Sequence, residues 1–511
     1  MPENEEYKEV GKSEFRSYCI ALCLSKKAVL RLMFATDERE TDNCFKIYAV
    51  FSEQGTDIFH IPFFKLREDD LTFRSITDGI PAAHWYEREI MDMFGLVPKY
   101  HPDPRRLVFH DSFPADSHPL RKDWEISEKD LKEWGEGMVR KVPYDFLEVE
   151  GEGVYEIPVG PVHAGIIEPG HFRISAVGET ILYLETRMFY THKGIEKHFE
   201  GMSFHEGVKL AERVSGTSTF SHSTAYCMAV ERMAGITITE KAKAIRTFLL
   251  ELERLYNHIG DIGFLCAGTG LTVGNATGSK IKERLLRLND RLTKSRFLRG
   301  INTIGGVTKD IFLHADDISL TIDTVAKEYK GLMKLLLGSV SHIERLENAG
   351  ILSKNRALKL GVTGIAAKAS GIDDDIRSSH PHLIYNKIFE PATFTRQEGD
   401  VFARMMARAE ETKCSMHMIK TIIEGQHEGD LQVKADDIPP NSHALGYTET
   451  PRGSVFYWVK SDGEGRPLRV KLRSPSFCNW PSVPFAIQGN IVPDLPLCNK
   501  SFNLSYSGCN M

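Results

Sequence analysis

At 511 residues the chain exceeds what one hydrophobic core holds, since domains run to about 100–200 residues, so two or three domains are expected. Shares of 41% hydrophobic and 26% charged residues are those of a globular protein, and no apolar run approaches the roughly 20 residues of a membrane span. A net charge of −6 argues against a general nucleic-acid binder, and nine scattered cysteines without a Cys-x-x-Cys pair argue against a disulfide framework or zinc ribbon.

The acidic start, Met1-Pro2-Glu3-Asn4-Glu5-Glu6, lacks the layout of a signal peptide and reads as cytosolic. Residues 28–34 and 44–51 are runs of apolar and β-favouring residues and predict strands. The stretch 98–123, rich in Pro, His and Arg, predicts no regular element. A charged helix is expected near 126–134, and a boundary near 130–150. This divides the chain into a domain at 1–130, a linker at 131–154 and a domain at 155–511.

Four segments of the second part carry the 3–4 spacing of an amphipathic helix. They are 239–265, opened by the capping-box spacing of Thr237-Ile238-Thr239-Glu240, then 279–297, a stretch from Asp316 through Leu346, and 397–423. A helical bundle buries four such stripes, with Met405, Met418, Cys227 and Cys266 in its core. Residues 440–511 read as short strands and loops. The fold class is α+β: a small N-terminal α/β domain, then a mainly α-helical bundle domain with short peripheral strands.

Three ordered blocks mark the first domain: Trp85-Tyr86-Glu87-Arg88-Glu89-Ile90-Met91-Asp92-Met93-Phe94-Gly95, His101-Pro102-Asp103-Pro104-Arg105-Arg106 and His118-Pro119-Leu120-Arg121-Lys122-Asp123. They resemble the C subunit of NADH-quinone oxidoreductase. Dense Arg, His and Asp on a proline-fixed backbone suits a rigid docking surface. The resemblance implies a bracing domain without a cofactor of its own.

The second domain carries Gly160-Pro161-Val162-His163, Glu168-Pro169-Gly170-His171, Thr191-His192-Lys193-Gly194-Ile195-Glu196-Lys197, Lys368-Ala369-Ser370-Gly371 with Asp375 and Arg377, Pro451-Arg452-Gly453 and Pro475-Ser476-Phe477-Cys478-Asn479-Trp480-Pro481. These blocks resemble the large subunits of energy-converting, formate-hydrogenlyase-type nickel–iron hydrogenases and the D subunit of complex I.

One departure is informative. Hydrogenases of this group carry Cys-Gly-x-Cys where this chain has Ser215-Gly216-Thr217-Ser218, and a second cysteine pair where it has Ser505 and Gly508. A nickel–iron centre needs soft thiolates, and a serine hydroxyl is neither soft nor ionised near neutral pH. Cys498 and Cys509 are the only thiols near the second pair. The quinone residues of the D subunit do not match either: its tyrosine position falls on Gly216 and its histidine near Ile167 and Glu168. His163, His171, His222 and Tyr226 stand close by in sequence.

The resemblance points to Glu196 as a proton carrier or a structural ion pair, to His192 as a carrier or a packed histidine, and to His222 as a neighbour of the old site. It places Arg213 beside a partner's iron–sulfur cluster, where a fixed positive charge raises the cluster's potential, or else on the surface. Asp375 and Arg377 are expected as an ion pair that shapes the cavity or holds loops together.

The implied function is that of a large subunit in a membrane-associated, ion-translocating oxidoreductase at the inner, cytoplasmic face of the membrane. The chain itself binds no metal in this reading. Its expected partners are a small subunit with a four-iron, four-sulfur cluster, a ferredoxin-like subunit and membrane subunits of the complex I or antiporter type. Quinone binding and NAD-linked electron transfer are functions the family carries. The alternatives are a non-catalytic coupling subunit and a hydrogenase with atypical ligands.

Overall fold

The computed structural model describes residues 2–511 except 115, 127, 129–131, 133–142, 164–166, 390–393 and 436–437. Most of the helix predicted at 126–134, and the first half of the predicted linker, lie outside the described residues.

Both predicted N-terminal strands are present. Glu5–Glu9, Phe59–Leu66, Cys44–Ser52 and Val29–Glu38 form one sheet in that spatial order, antiparallel except for the first pair. Val29–Glu38 is an edge strand, which would leave a row of backbone groups open to pairing. It is nonetheless buried along nearly its whole length, because helix His84–Phe94 and strand Pro467–Arg473 pack against it. Arg473 Nε donates to the Arg31 carbonyl at 2.9 Å.

Helix content of 45% and strand content of 18% bear out the α+β class. The predicted helices appear as Glu240–Gly268, Thr272–Thr293, Ala315–Leu337 and Val401–Glu424. Thr239 caps the first through its hydroxyl, which accepts from Ala242 N at 3.1 Å. The third stops at Gly338 rather than running to Leu346, and a separate short helix, Val340–Leu346, follows. A further helix, Thr219–Ala234, carries no apolar stripe in its sequence because it is buried almost all round.

Of the strands expected at the periphery, Val154–Val159, His171–Val177 and Thr180–Arg187 form an outer sheet whose first strand is largely exposed. Strands His443–Thr450, Gly453–Ser461 and Pro467–Arg473 lie inside instead. They pack between helix Thr219–Ala234 and the N-terminal sheet. Trp458, fully buried, meets Phe34 and Tyr48 with ring centroids 4.7 and 5.4 Å away and donates to Tyr7 Oη at 3.0 Å. The interior placement follows from composition: Val455, Phe456, Tyr457, Trp458 and Val459 have no polar face to turn to water.

Candidate functional site

The start of helix Thr219–Ala234 faces the last turn of the chain. Ser215 Oγ donates to Ser505 Oγ at 3.0 Å and also lies 3.0 Å from Thr217 Oγ1. Ser505 is the N-cap of helix Tyr506–Asn510, accepting from Gly508 N at 2.9 Å. A Cβ at Gly508 would stand 3.1 Å from Ser505 Oγ and 3.2 Å from Ser474 Oγ. Ser218 is buried in the same turn as Ser215. The two motifs lie far apart in sequence, and the fold brings them into contact.

Glu253 holds this turn from below. Its carboxyl accepts from Phe220 N at 2.8 Å and Ser221 N at 3.0 Å, satisfying helix-terminal donors that have no intrahelical partner. Burial pushes its pKa up to about 7, against the opposing pull of those hydrogen bonds. His222, one turn on, is fully buried, with Nδ1 2.9 Å from Tyr457 Oη and Nε2 without a hydrogen-bond partner among the described residues. Burial, with Lys193 adding to it, lowers its pKa to about 3, so it is neutral at pH 7.

The last residues of the chain pack against the 190s loop. Lys193 Nζ donates to Ser507 Oγ at 2.8 Å, and His192 Nδ1 lies 2.5 Å from the Asn510 carbonyl while the residue keeps an exposed face. Glu168 accepts from Ser507 N at 2.7 Å, so the loop where the quinone histidine would fall does reach this site. His163 and His171 instead brace their own loop through the Gly170 and Gly160 carbonyls. Tyr226 donates to the Phe204 carbonyl at 3.1 Å and belongs to the core. A Cβ at Gly216 would meet nothing within 4 Å among the described residues.

Glu196 joins a buried cluster of four charges. Its carboxylate lies 2.7 Å from Arg469 and 3.0 Å from Lys471, and Lys471 also reaches Glu89 at 2.6 Å. Burial alone would raise the Glu196 pKa, but Arg469 and Lys471 overcome it and hold the group below the usual carboxylate range. Glu89 is the raised member: burial, partly offset by Lys471, takes it to about 6. A pKa near the working pH favours proton transfer, and in this cluster burial moves Glu89 in that direction while Arg469 and Lys471 move Glu196 away from it.

Asp375 and Arg377 form the expected pair at 2.7 Å, inside a larger network. Lys368 bridges Asp375 and Glu411 at 2.6 Å each, Arg377 reaches Glu251 at 3.0 Å, and Arg254 and His258 close on Glu411 at 3.2 and 2.9 Å. All of these side chains are buried. Arg213 stands apart, with its side chain 55% exposed at the end of helix Phe204–Ala211.

Residues 9–130 match the family described as respiratory-chain NADH dehydrogenase, 30 Kd subunit, and residues 269–444 and 434–510 match the 49 Kd subunit. Hydrogenase-4 component G of Escherichia coli (strain K12) is 34% identical over 94% of this chain and 83% of its own length. Formate hydrogenlyase subunit 5 of the same organism is 33% identical over 94% and 84%. The fused C/D subunit of NADH-quinone oxidoreductase of Phocaeicola vulgatus is 32% identical over 78% and 79%. The chain belongs to the family that fuses these two NADH dehydrogenase subunits and is related to hydrogenase large subunits. The structure of the membrane-bound sulfane sulfur reductase, an archaeal respiratory membrane complex, contains a chain that aligns with a TM-score of 0.66 at 25% identity. The alignment covers 70% of this chain and 99% of the archaeal one.

The family resemblance brings with it the nickel–iron ligand positions of the hydrogenase relatives, and the residues present do not fit that group. Three hydroxyls and a glycine supply no thiolate, and Ser215 and Ser505 are spent on each other. Cys509 is fully buried, and burial, with Cys478 and Glu89 adding to it, pushes its thiol pKa well up. Cys498 sits against Gly350 and Arg404 instead. Among the described residues, no three His, Cys, Asp or Glu side chains are grouped to hold a metal ion. Sequence reasoning missed Glu89 and Glu253, because the partners that define them, residues 471 and 220–221, come from distant segments.

Proposed function

We propose that this chain is the large subunit of a membrane-associated, ion-translocating oxidoreductase whose nickel–iron chemistry has been replaced. Electrons pass through a four-iron, four-sulfur cluster of a small partner subunit to or from an acceptor other than the proton. A ferredoxin-like subunit and antiporter-type membrane subunits complete the assembly at the cytoplasmic face. No helix among the described residues is long and apolar enough to cross a membrane, which fits a peripheral subunit.

The observation that carries this reading is the Ser215–Ser505 hydrogen bond at the place of two facing thiolates. The archaeal sulfane sulfur reductase supports it, since a related chain there serves a respiratory complex named for a sulfur substrate. The exposure of Arg213 supports it too, since a fixed positive charge on the surface is available to a partner's cluster. Metal analysis of the purified complex is the test: nickel well below one atom per chain is expected, together with no hydrogen uptake. Stoichiometric nickel overturns the reading.

A further inference from the structure

The acceptor needs a place, and Ser215, Ser505 and the Gly508 turn close on one another at the old metal position. Helix Pro475–Asn479 stands directly behind them. Ser476 Oγ accepts from Ser505 N at 3.0 Å, and Ser474 Oγ abuts Gly508. Phe477 and Cys478, on this same helix, line a cavity of about 400 Å³. The cavity therefore shares this helix with the old ligand positions.

Its walls come from both halves of the chain: Trp85 and Tyr86 from the N-terminal part, and Leu184, Phe477 and Phe485 from the C-terminal part. The Cys478 thiol lies 3.3 Å from Tyr86 Oη. The charged groups at its rim are already matched. Asp103 holds Arg105 at 2.7 Å and Arg88 at 3.2 Å, and Arg105 reaches Glu185 at 2.6 Å. Two cations and two anions cancel, so no charge is left over for an ionic ligand, and the remaining walls are mostly aromatic and aliphatic, with Thr77, His84, Thr186 and Gln488 as neutral polar groups among them.

We propose that this seam cavity binds a neutral, flat, largely apolar small molecule, held between Trp85, Phe477 and Phe485 with Cys478 at its wall. The inference rests on the reading that the complex serves an acceptor other than the proton. Its test is independent of nickel content, so the two fail separately.

Cys478, Cys23 and Cys414 are the partly exposed thiols, and Cys23 and Cys414 lie outside this cavity. Alkylation by N-ethylmaleimide of the purified complex is followed at each cysteine by mass spectrometry, with and without duroquinone or thymol, two neutral ring compounds of which thymol is not an electron acceptor. Cys478 is expected to react, and either ring compound to protect it while Cys23 and Cys414 react as before. Ala82→Trp, which fills the cavity from its half-exposed rim, and Phe485→Ala, which removes its outer wall, are expected to abolish or weaken that protection. An unreactive Cys478, protection by neither compound, equal protection of all three thiols, or full protection retained in both variants overturns the proposal.

Discussion

Glu449 is buried close to Asp375, and burial together with that carboxylate pushes its pKa up to about 8 despite Lys368, Arg254 and Arg377. The unfolded chain releases this proton near 4.5, and the folded chain keeps it to about 8. Stability from this group is therefore complete below pH 4.5 and is lost as the pH rises through 8. Glu449→Gln, a neutral isostere, is expected to flatten that fall, which urea midpoints at pH 6 and pH 8.5 measure for both proteins. Glu196 has the opposite sign, because its pKa is lowered: its contribution is present above the usual carboxylate range and is lost in acid. Glu196→Gln leaves Arg469 and Lys471 without their shared counter-charge and is expected to cost about 3–5 kcal/mol in denaturant unfolding at pH 7. A change within about 0.5 kcal/mol, the range of an ordinary surface substitution, would show that Glu89 alone neutralises the cluster. At this scale the sequence revealed identities and not environments. The missing ligands at 215, 218, 505 and 508 are readable by position, whereas the pKa values of Glu196 and Glu89 depend on Lys471, which no local spacing connects to them.

The helices announced by an apolar stripe were legible, and those buried on every side were not. Helix Glu240–Gly268 showed its stripe and its Thr239 cap, although its buried Arg246, Glu251, Arg254 and His258 would each read as surface residues in isolation. Helix Thr219–Ala234 mixes Ser, Thr, His and Tyr around its whole circumference, and only the partners it packs against make it a helix. Strand His443–Thr450 lies so close to it that a Cβ on Gly446 would stand 2.0 Å from the Ala225 carbonyl and 2.5 Å from Ala229 N. Neither obstacle is a flexible side chain, so the strand or the helix must move. Gly446→Ala is expected to destabilise the protein by about 3 kcal/mol, at the upper end of overpacking effects, as read from the thermal midpoint by circular dichroism. Gly216→Ala, in open space, serves as the matched control with little change.

The sequence suggested two domains joined by a linker, and across that division the structure places some of its most buried charges. Lys460 meets Glu38 at 2.7 Å, Lys471 meets Glu89, Arg31 meets Asp374 at 2.6 Å, and Trp458 enters the aromatic face of the N-terminal sheet. Each ion pair, once separated, leaves a charge that had been desolvated, and exposure of the Trp458 face adds apolar area to water. The segment before the outer sheet is also tied down, since Tyr144 and Leu147 N both donate to Glu185 at 2.9 Å. Among the described residues of that segment, the exposed turn Gly151-Glu152-Gly153 is where a protease would find the chain most accessible. A cleavage site inserted there is expected to be cut in the folded protein, and the two fragments are expected to remain together on size-exclusion chromatography. Lys471→Met with Lys460→Met removes two of the bridging cations, and the nicked double variant is expected to separate at a lower urea concentration than the nicked wild type. Fragments that part without denaturant would mean that these buried pairs do not hold the halves together, and that the covalent link does.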